Sequence, residues 1–208
     1  MKKNHSIYER FTRVYEILWN SFFKDSFGKV CHRINELEGE TVLEVGIGPG
    51  ETLQYYDPLK SILGIDVSGS MIENANRKIV EKSLKHCRVQ HVSGNYPFAK
   101  NSFDIVASFS VVTVVKDPVA FIDSLVSLVK PGGYLVIVGH FENESTPFFE
   151  KMINMVFEPF TKICMGFVLR RNESVLFSSE YPLELKSKFD SGTFGPLTLN
   201  TCYILKKL

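Results

Sequence analysis

A chain of 208 residues with 44% hydrophobic and 23% charged residues has the size and composition of one globular domain with its own core. Its formal net charge of +1 implies no strong partner preference for the whole molecule, and its basic residues form no continuous stripe interleaved with aromatics, which argues against nucleic-acid binding. The four cysteines, Cys31, Cys87, Cys164 and Cys202, show neither CxxC nor metal-ligand spacing. No apolar run comes after the basic start, and no stretch reaches about 18 uninterrupted apolar residues, so free thiols in a soluble cytoplasmic protein without a metal are expected.

Residues 5–24 carry Ile7, Tyr8, Phe11, Val14, Tyr15, Leu18, Trp19, Phe22 and Phe23 at three- and four-residue spacing, which predicts an amphipathic helix. Gly28 is expected to separate it from a second helix ending near Leu37. Residues 1–33 hold seven Lys and Arg against three Asp and Glu, a local net charge of +4. After Gly39, short apolar runs alternate with helical segments. Strands are predicted at Thr41–Val45, Ser61–Ile65, Cys87–Val92, Asp104–Phe109 and Tyr134–Val138, with helices near 50–56, 69–83 and 117–129. Runs without polar alternation suit strands covered on both faces, and strand–helix alternation implies a parallel sheet with right-handed crossovers. Residues 147–169 read as one apolar helical stretch. Two further strands, around 183–189 and 197–206, are split by Asp190-Ser191-Gly192 and by Gly195-Pro196, and the short connection predicts antiparallel pairing. One domain is expected, with a helical cap (1–38), a core (39–140) and a helix with a C-terminal β-hairpin (141–208).

The chemistry concentrates after the first strand. Leu43-Glu44-Val45-Gly46-Ile47-Gly48-Pro49-Gly50 joins that strand to the next helical segment, and glycines there let the chain turn tightly and let a ligand approach backbone amides. The spacing is GxGxG, not the GxGxxG of nicotinamide-cofactor folds. Glu44 lies inside the strand, where a carboxylate without a partner would be costly. Sixteen residues after Gly50, Asp66 ends the second strand, where a carboxylate can accept hydrogen bonds from both ribose hydroxyls of a nucleoside. Ser68 then caps a helix.

The ordered segments LEVGIGPG, GIDVSGSMI, SFDIV (102–106) and VKPGGYLVIV (129–138) resemble the motifs of class I methyltransferases over roughly residues 41–140. The resemblance implies a three-layer, Rossmann-like α/β fold with a seven-stranded, mostly parallel sheet of order 3-2-1-4-5-7-6 and strand seven antiparallel. It implies S-adenosyl-L-methionine as cofactor and S-adenosyl-L-homocysteine as product. Carried over residue by residue, it places Glu44 at the cofactor's amino group, with Gly46 and Gly48, in the turn closed by Gly50, under its methionine part. Asp66 falls on the ribose, and Met71 or Val67 on the adenine. Many relatives carry an Asp after strand three that bonds the adenine amine. Here that stretch is Val92-Ser93-Gly94-Asn95-Tyr96, so Asn95, with Tyr96 beside it, takes that place.

The acceptor side narrows the resemblance. ASFSVVTVVKDP and VKPGGYLVIVGHF look like the bacterial phosphatidylethanolamine N-methyltransferases, with Gly139 where that group has Asn before His-Phe. Those proteins also show an N-terminal Tyr-x6-Tyr-Asp pattern, matched here by Tyr8 and Tyr15 with Glu16 in place of Asp. The implied acceptor is a phospholipid amine, or another small-molecule amine. Tyr15 and His140 would position it, Ser110 and Thr113 would line the site, and Tyr8 would close over the cofactor. No Asp/Asn-Pro-Pro-Tyr sequence comes after strand four, which argues against the branches that methylate nucleic-acid bases and glutamine. A basic and aromatic first helix, and the Met- and Phe-rich stretch 148–169, suit either peripheral contact with an anionic membrane at its inner face or plain burial against the sheet. A soluble or quinone-type acceptor, and a non-catalytic cofactor-binding protein, are the competing readings. Oligomeric state is not legible.

Overall fold

The computed structural model describes residues 26–141, 172–194 and 197–208. The helix expected at 5–24, the apolar stretch 147–169 and Cys164 lie outside the described residues. Residues 26–36 form helix α1. Seven strands come after it: β1 (Thr41–Val45), β2 (Ser61–Asp66), β3 (Cys87–His91), β4 (Phe103–Phe109), β5 (Val129–Gly139), β6 (Leu183–Phe194) and β7 (Leu197–Lys207). Helix α2 spans Gly69–Glu81 and α3 spans Pro118–Leu128. The strands form one sheet of order β3-β2-β1-β4-β5-β7-β6. β1 to β5 are parallel, and β7 runs antiparallel to both β5 and β6, as expected.

Both sheet faces are covered, which is why the central strands carry apolar side chains at nearly every position. One face packs Val42, Ile62, Ile105 and Val136 under α1 and α2 through Phe27, Ile34 and Ile72. The other packs Leu43, Val106 and Leu135 under α3 through Ile122 and Leu125, with Leu176 from a 3₁₀ turn at Glu173–Phe177. Cys31, Cys87 and Cys202 are buried free thiols in the first of these layers. The helices start where the sequence supplies caps. Ser68 Oγ accepts the Met71 N–H, and Asp117 Oδ1 accepts the Ala120 N–H ahead of Pro118 at the first turn.

Three expectations are corrected. Gly28 does not break a helix: it lies inside α1, and its bare Cα rests on the Tyr55 ring, where a Cβ would sit 3.6 Å away. The segment 50–56 forms only a 3₁₀ turn, Leu53–Tyr55. Gly50 is left-handed (φ +77°), and Pro58 disfavours the helical region at Asp57, so a longer helix has no room. Asp190-Ser191-Gly192 does not end a strand. β6 runs through it with an irregular register, pairing Asp190 with Thr201 and Gly192 with Asn200, so that Ser191 is the extra residue of a bulge.

Side chains remote in sequence lock the edges. Asp104 at the start of β4 accepts hydrogen bonds from Glu40 N (3.1 Å), Thr41 N (2.9 Å), Thr41 Oγ1 (2.6 Å) and Lys130 Nζ (2.6 Å). Burial pushes its carboxyl up, but Lys130, Thr41 and the two amides outweigh this and hold it well below the usual carboxylate range. Lys207 Nζ donates to the carbonyls of Val126 and Val129 and so closes the C-terminal end of α3, while Lys60 does the same for residues 37 and 39 after α1. Because the native Asp104 carboxyl is depressed, its contribution is present at neutral pH and is lost as pH falls through the acid range. Asp104→Asn therefore lowers stability by about 2 kcal/mol at pH 7, read as a lower denaturant midpoint, with a smaller difference from wild type at pH 3.

Candidate active site

The carboxyl ends of β1, β2, β4 and β5 converge at one edge of the sheet, the edge at which open α/β folds bind ligands. The turn after β1 is held by its neighbours. Gly46 N and Ile47 N both donate to the Ile65 carbonyl, at 2.8 and 3.0 Å, and Gly48 N donates to Asp66 Oδ2 at 2.9 Å. The glycines divide the work. Gly46 has φ +80°, and a Cβ there would lie 2.2 Å from Val111 Cγ2, so the segment after β4 packs directly on it. Gly48 has φ +53° and nothing within 4 Å of the place a Cβ would take. Packing therefore requires the first glycine, whereas the second leaves its space open above the turn. Gly50 packs against Ala75 of α2, 3.0 Å from a Cβ position.

Asp66 ends β2 half-buried. Besides Gly48, its other oxygen accepts the Ser68 N–H at 2.9 Å, so one carboxylate couples the turn to the start of α2. Val67 beside it is 74% exposed, and its carbonyl lies 3.0 Å from His91 Nε2. Met71 is half-buried in the first turn of α2.

Glu44 is only 1% exposed, and the protein itself supplies its partners. Thr52 Oγ1 donates to the carboxyl at 2.9 Å, and the Tyr56 hydroxyl donates to Oε2 at 2.6 Å. Burial pushes the carboxyl up to about 8, with the Tyr56 and Thr52 hydroxyls pulling back only part of the way. Thr52 and Tyr56 were not legible as site residues, because the bond depends on the 3₁₀ turn folding back across β1 and no spacing rule encodes that.

The residues expected to face the acceptor come from the same edge. Ser110, directly after β4, takes a left-handed backbone (φ +61°), with its N–H donating to the Val138 carbonyl at 2.7 Å. Its hydroxyl is buried and, among the described residues, has no hydrogen-bond partner. A left-handed residue with an unsatisfied hydroxyl at a strand's carboxyl end makes Ser110 a candidate functional position. Thr113 is buried and turns its hydroxyl onto the Ser110 carbonyl at 2.8 Å. His140 comes directly after β5, half-buried. Asn95 is exposed and Tyr96 half-buried. Both line an open cleft of about 380 Å³ against Ser124 and Ser127 of α3, whose walls include no residue of the glycine turn. Tyr8 and Tyr15 lie outside the described residues.

Residues 43–137 match the family model of a methyltransferase domain. The sheet order, the inverted last strand and the glycine turn at its carboxyl edge are those of the class I S-adenosylmethionine-dependent methyltransferases, and the chain has this fold. In sequence it is similar to the phosphatidylethanolamine N-methyltransferase of Cereibacter sphaeroides, 32% identical over 59% of this chain and 64% of that one. It is also similar to the demethylmenaquinone methyltransferase of Lactococcus lactis, 25% identical over 62% of this chain and 53% of that one. The matched segments thus span less than two thirds of either relative. A methyltransferase structure from Aquifex aeolicus superimposes with a TM-score of 0.61 at 20% identity, covering 89% of this chain and 92% of that one.

Two outcomes test this geometry. Gly46→Ala forces Val111 away and costs about 2–4 kcal/mol of stability, whereas Gly48→Ala costs about 1 kcal/mol of backbone strain. Calorimetry on Gly48→Ala shows at least a tenfold loss of S-adenosylhomocysteine affinity. Glu44 sets a pH effect. Its native carboxyl holds a proton that the unfolded chain releases near pH 4.5, so the Glu44 contribution to stability falls as pH rises from about 4.5 to 8 and is constant above it. Glu44→Gln flattens that slope in thermal melts run across the same pH range.

Proposed function

We propose that the chain transfers a methyl group from S-adenosylmethionine to the amine of phosphatidylethanolamine and its partly methylated products, toward phosphatidylcholine. The observation that carries the donor side is the open space over Gly48 beside the Asp66 carboxylate. That space admits a ligand against the backbone, and the carboxylate has lone pairs left for ribose hydroxyls. Gly46 and Gly48 would lie under the methionine part, Asp66 would hold the ribose, and Val67 and Met71 would flank the adenine, with Asn95 and Tyr96 toward its amine. The bound cofactor supplies an electrophilic sulfonium methyl.

The protein's own part is alignment of an unprotonated nucleophile and acceptance of its proton. The Ser110 hydroxyl accepts an amine N–H, and the His140 imidazole takes the proton released as the amine is methylated. Tyr15, and Tyr8 beside the cofactor, would complete the site. The similarity to a phosphatidylethanolamine N-methyltransferase and the VVTVVKDP and GHF segments support a lipid amine. The similarity to demethylmenaquinone methyltransferases supports a quinone-type ring instead, and is the second reading. No helix among the described residues is long and apolar enough to cross a membrane. The +4 charge of residues 1–33 supports peripheral attachment to an anionic surface.

Incubation with methyl-labelled cofactor and vesicles of phosphatidylethanolamine with anionic lipid places label in the phospholipid fraction. Label confined to quinones or to the aqueous phase sinks the lipid reading. His140→Gln lowers kcat at least tenfold and removes the corresponding limb of the pH–rate profile, with S-adenosylhomocysteine affinity within twofold of wild type.

A further inference from the structure

β7 enters the sheet at the same edge at which β5 leaves it. The antiparallel register pairs Val138 with Cys202 and Gly139 with Thr201, the last pair of the ladder; His140 is the next residue after β5, and Asn200 the next residue of β7 toward its start. Side chains alternate along a strand, so Asn200 shares the face of Cys202 and Ile204, the face covered by α1. Ser110 lies across β5 from it, tied to the Val138 carbonyl. Ser110, His140 and Asn200 thus belong to three neighbouring strands, β4, β5 and β7, at one edge of the sheet, with two strand spacings of about 10 Å from first to last.

Asn200 is 0% exposed, and among the described residues neither its Oδ1 nor its Nδ2 has a hydrogen-bond partner. The neighbouring polar groups are engaged elsewhere: Ser26 Oγ donates to Ser191 Oγ, and Ser191 Oγ donates to the Asn200 backbone carbonyl, not to its side chain. A carboxamide buried with both ends unsatisfied is a cost to the fold wherever it falls. Here it falls at the same edge of the sheet as a second buried orphan, the Ser110 hydroxyl, with β5 between them. Two unsatisfied polar groups at that edge point to a ligand that satisfies both.

We propose that the Asn200 carboxamide anchors the methyl acceptor, with Oδ1 accepting an N–H of its amine and Nδ2 donating to an oxygen of the same headgroup. This rests on the proposed amine acceptor. A carboxamide suits a headgroup that carries both a donor and an acceptor, and it does so without adding a charge next to a cationic product.

Asn200→Leu and Asn200→Ala are compared with wild type over a range of phosphatidylethanolamine vesicle concentrations, using methyl-labelled cofactor. The expected result is a KM for the acceptor at least tenfold higher in both variants, with S-adenosylhomocysteine affinity within twofold. Asn200→Leu melts no lower than wild type, since it removes an orphaned polar group. An acceptor KM within twofold of wild type in both variants overturns the assignment. So does an equal loss of S-adenosylhomocysteine affinity, which would put Asn200 on the donor side. Where wild type labels only water-soluble material, the lipid reading fails separately, and the same KM comparison on that product decides the role of Asn200.

Discussion

The close approach of three backbone segments at the end of β1 is the constraint on which this structure depends. Gly46 and Ile47 hang from the Ile65 carbonyl on the β2 side, while Val111 presses on Gly46 from the β4 side. No side chain fits between them. The chain must therefore rise out of the sheet with a left-handed backbone, and the next glycine emerges with open space above it. Asp66 fixes that geometry by accepting from both Gly48 and Ser68, which ties the turn to the capped start of α2. An open turn beside one carboxylate at the carboxyl edge of the sheet is a consequence of packing.

Beneath the turn the protein buries a carboxyl and satisfies it internally. Thr52 and Tyr56 flank the 3₁₀ turn that replaces a helix after Gly50, and their hydroxyls bond Glu44 of β1. The network welds the returning loop to the strand that carries the glycines. Its cost is the elevated proton affinity of Glu44, which makes the region beneath the turn sensitive to pH. Elsewhere the same device appears in cheaper form, with Lys60 and Lys207 closing helix ends through their carbonyls and Asp104 holding the start of β1 to β4.

The parts of this edge are built differently. The glycine turn is fixed by main-chain hydrogen bonds and close packing, and it tolerates little change. The segments after β4, after β5 and before β7 are connections whose lengths can vary without disturbing the sheet. That separation is a physical reason why one core supports similarity both to a lipid amine methyltransferase and to quinone methyltransferases.

The sequence by itself determined the sheet. Apolar runs at Thr41–Val45, Ser61–Ile65 and Asp104–Phe109 read as strands covered on both faces, their alternation with helices as a parallel core, and the short connection before the last strand as an antiparallel return, while the strand order came from the family resemblance. It also determined the glycine turn and Asp66, because positive φ angles and a helix cap demand particular residue types at fixed spacing. Local rules misjudged Gly28, the 50–56 segment and Asp190–Gly192, since a ring packed on a glycine, a left-handed Gly50 and a bulge are settled by neighbours distant in the chain. Only the tertiary structure decided that Gly46 is required by Val111 while Gly48 stands open, that Glu44 bonds Thr52 and Tyr56, and that β7 brings Asn200 to the edge where β4 and β5 end. Those relations join residues eight to about ninety positions apart, and hydrogen bonding and close packing at that range leave no periodic trace in a sequence.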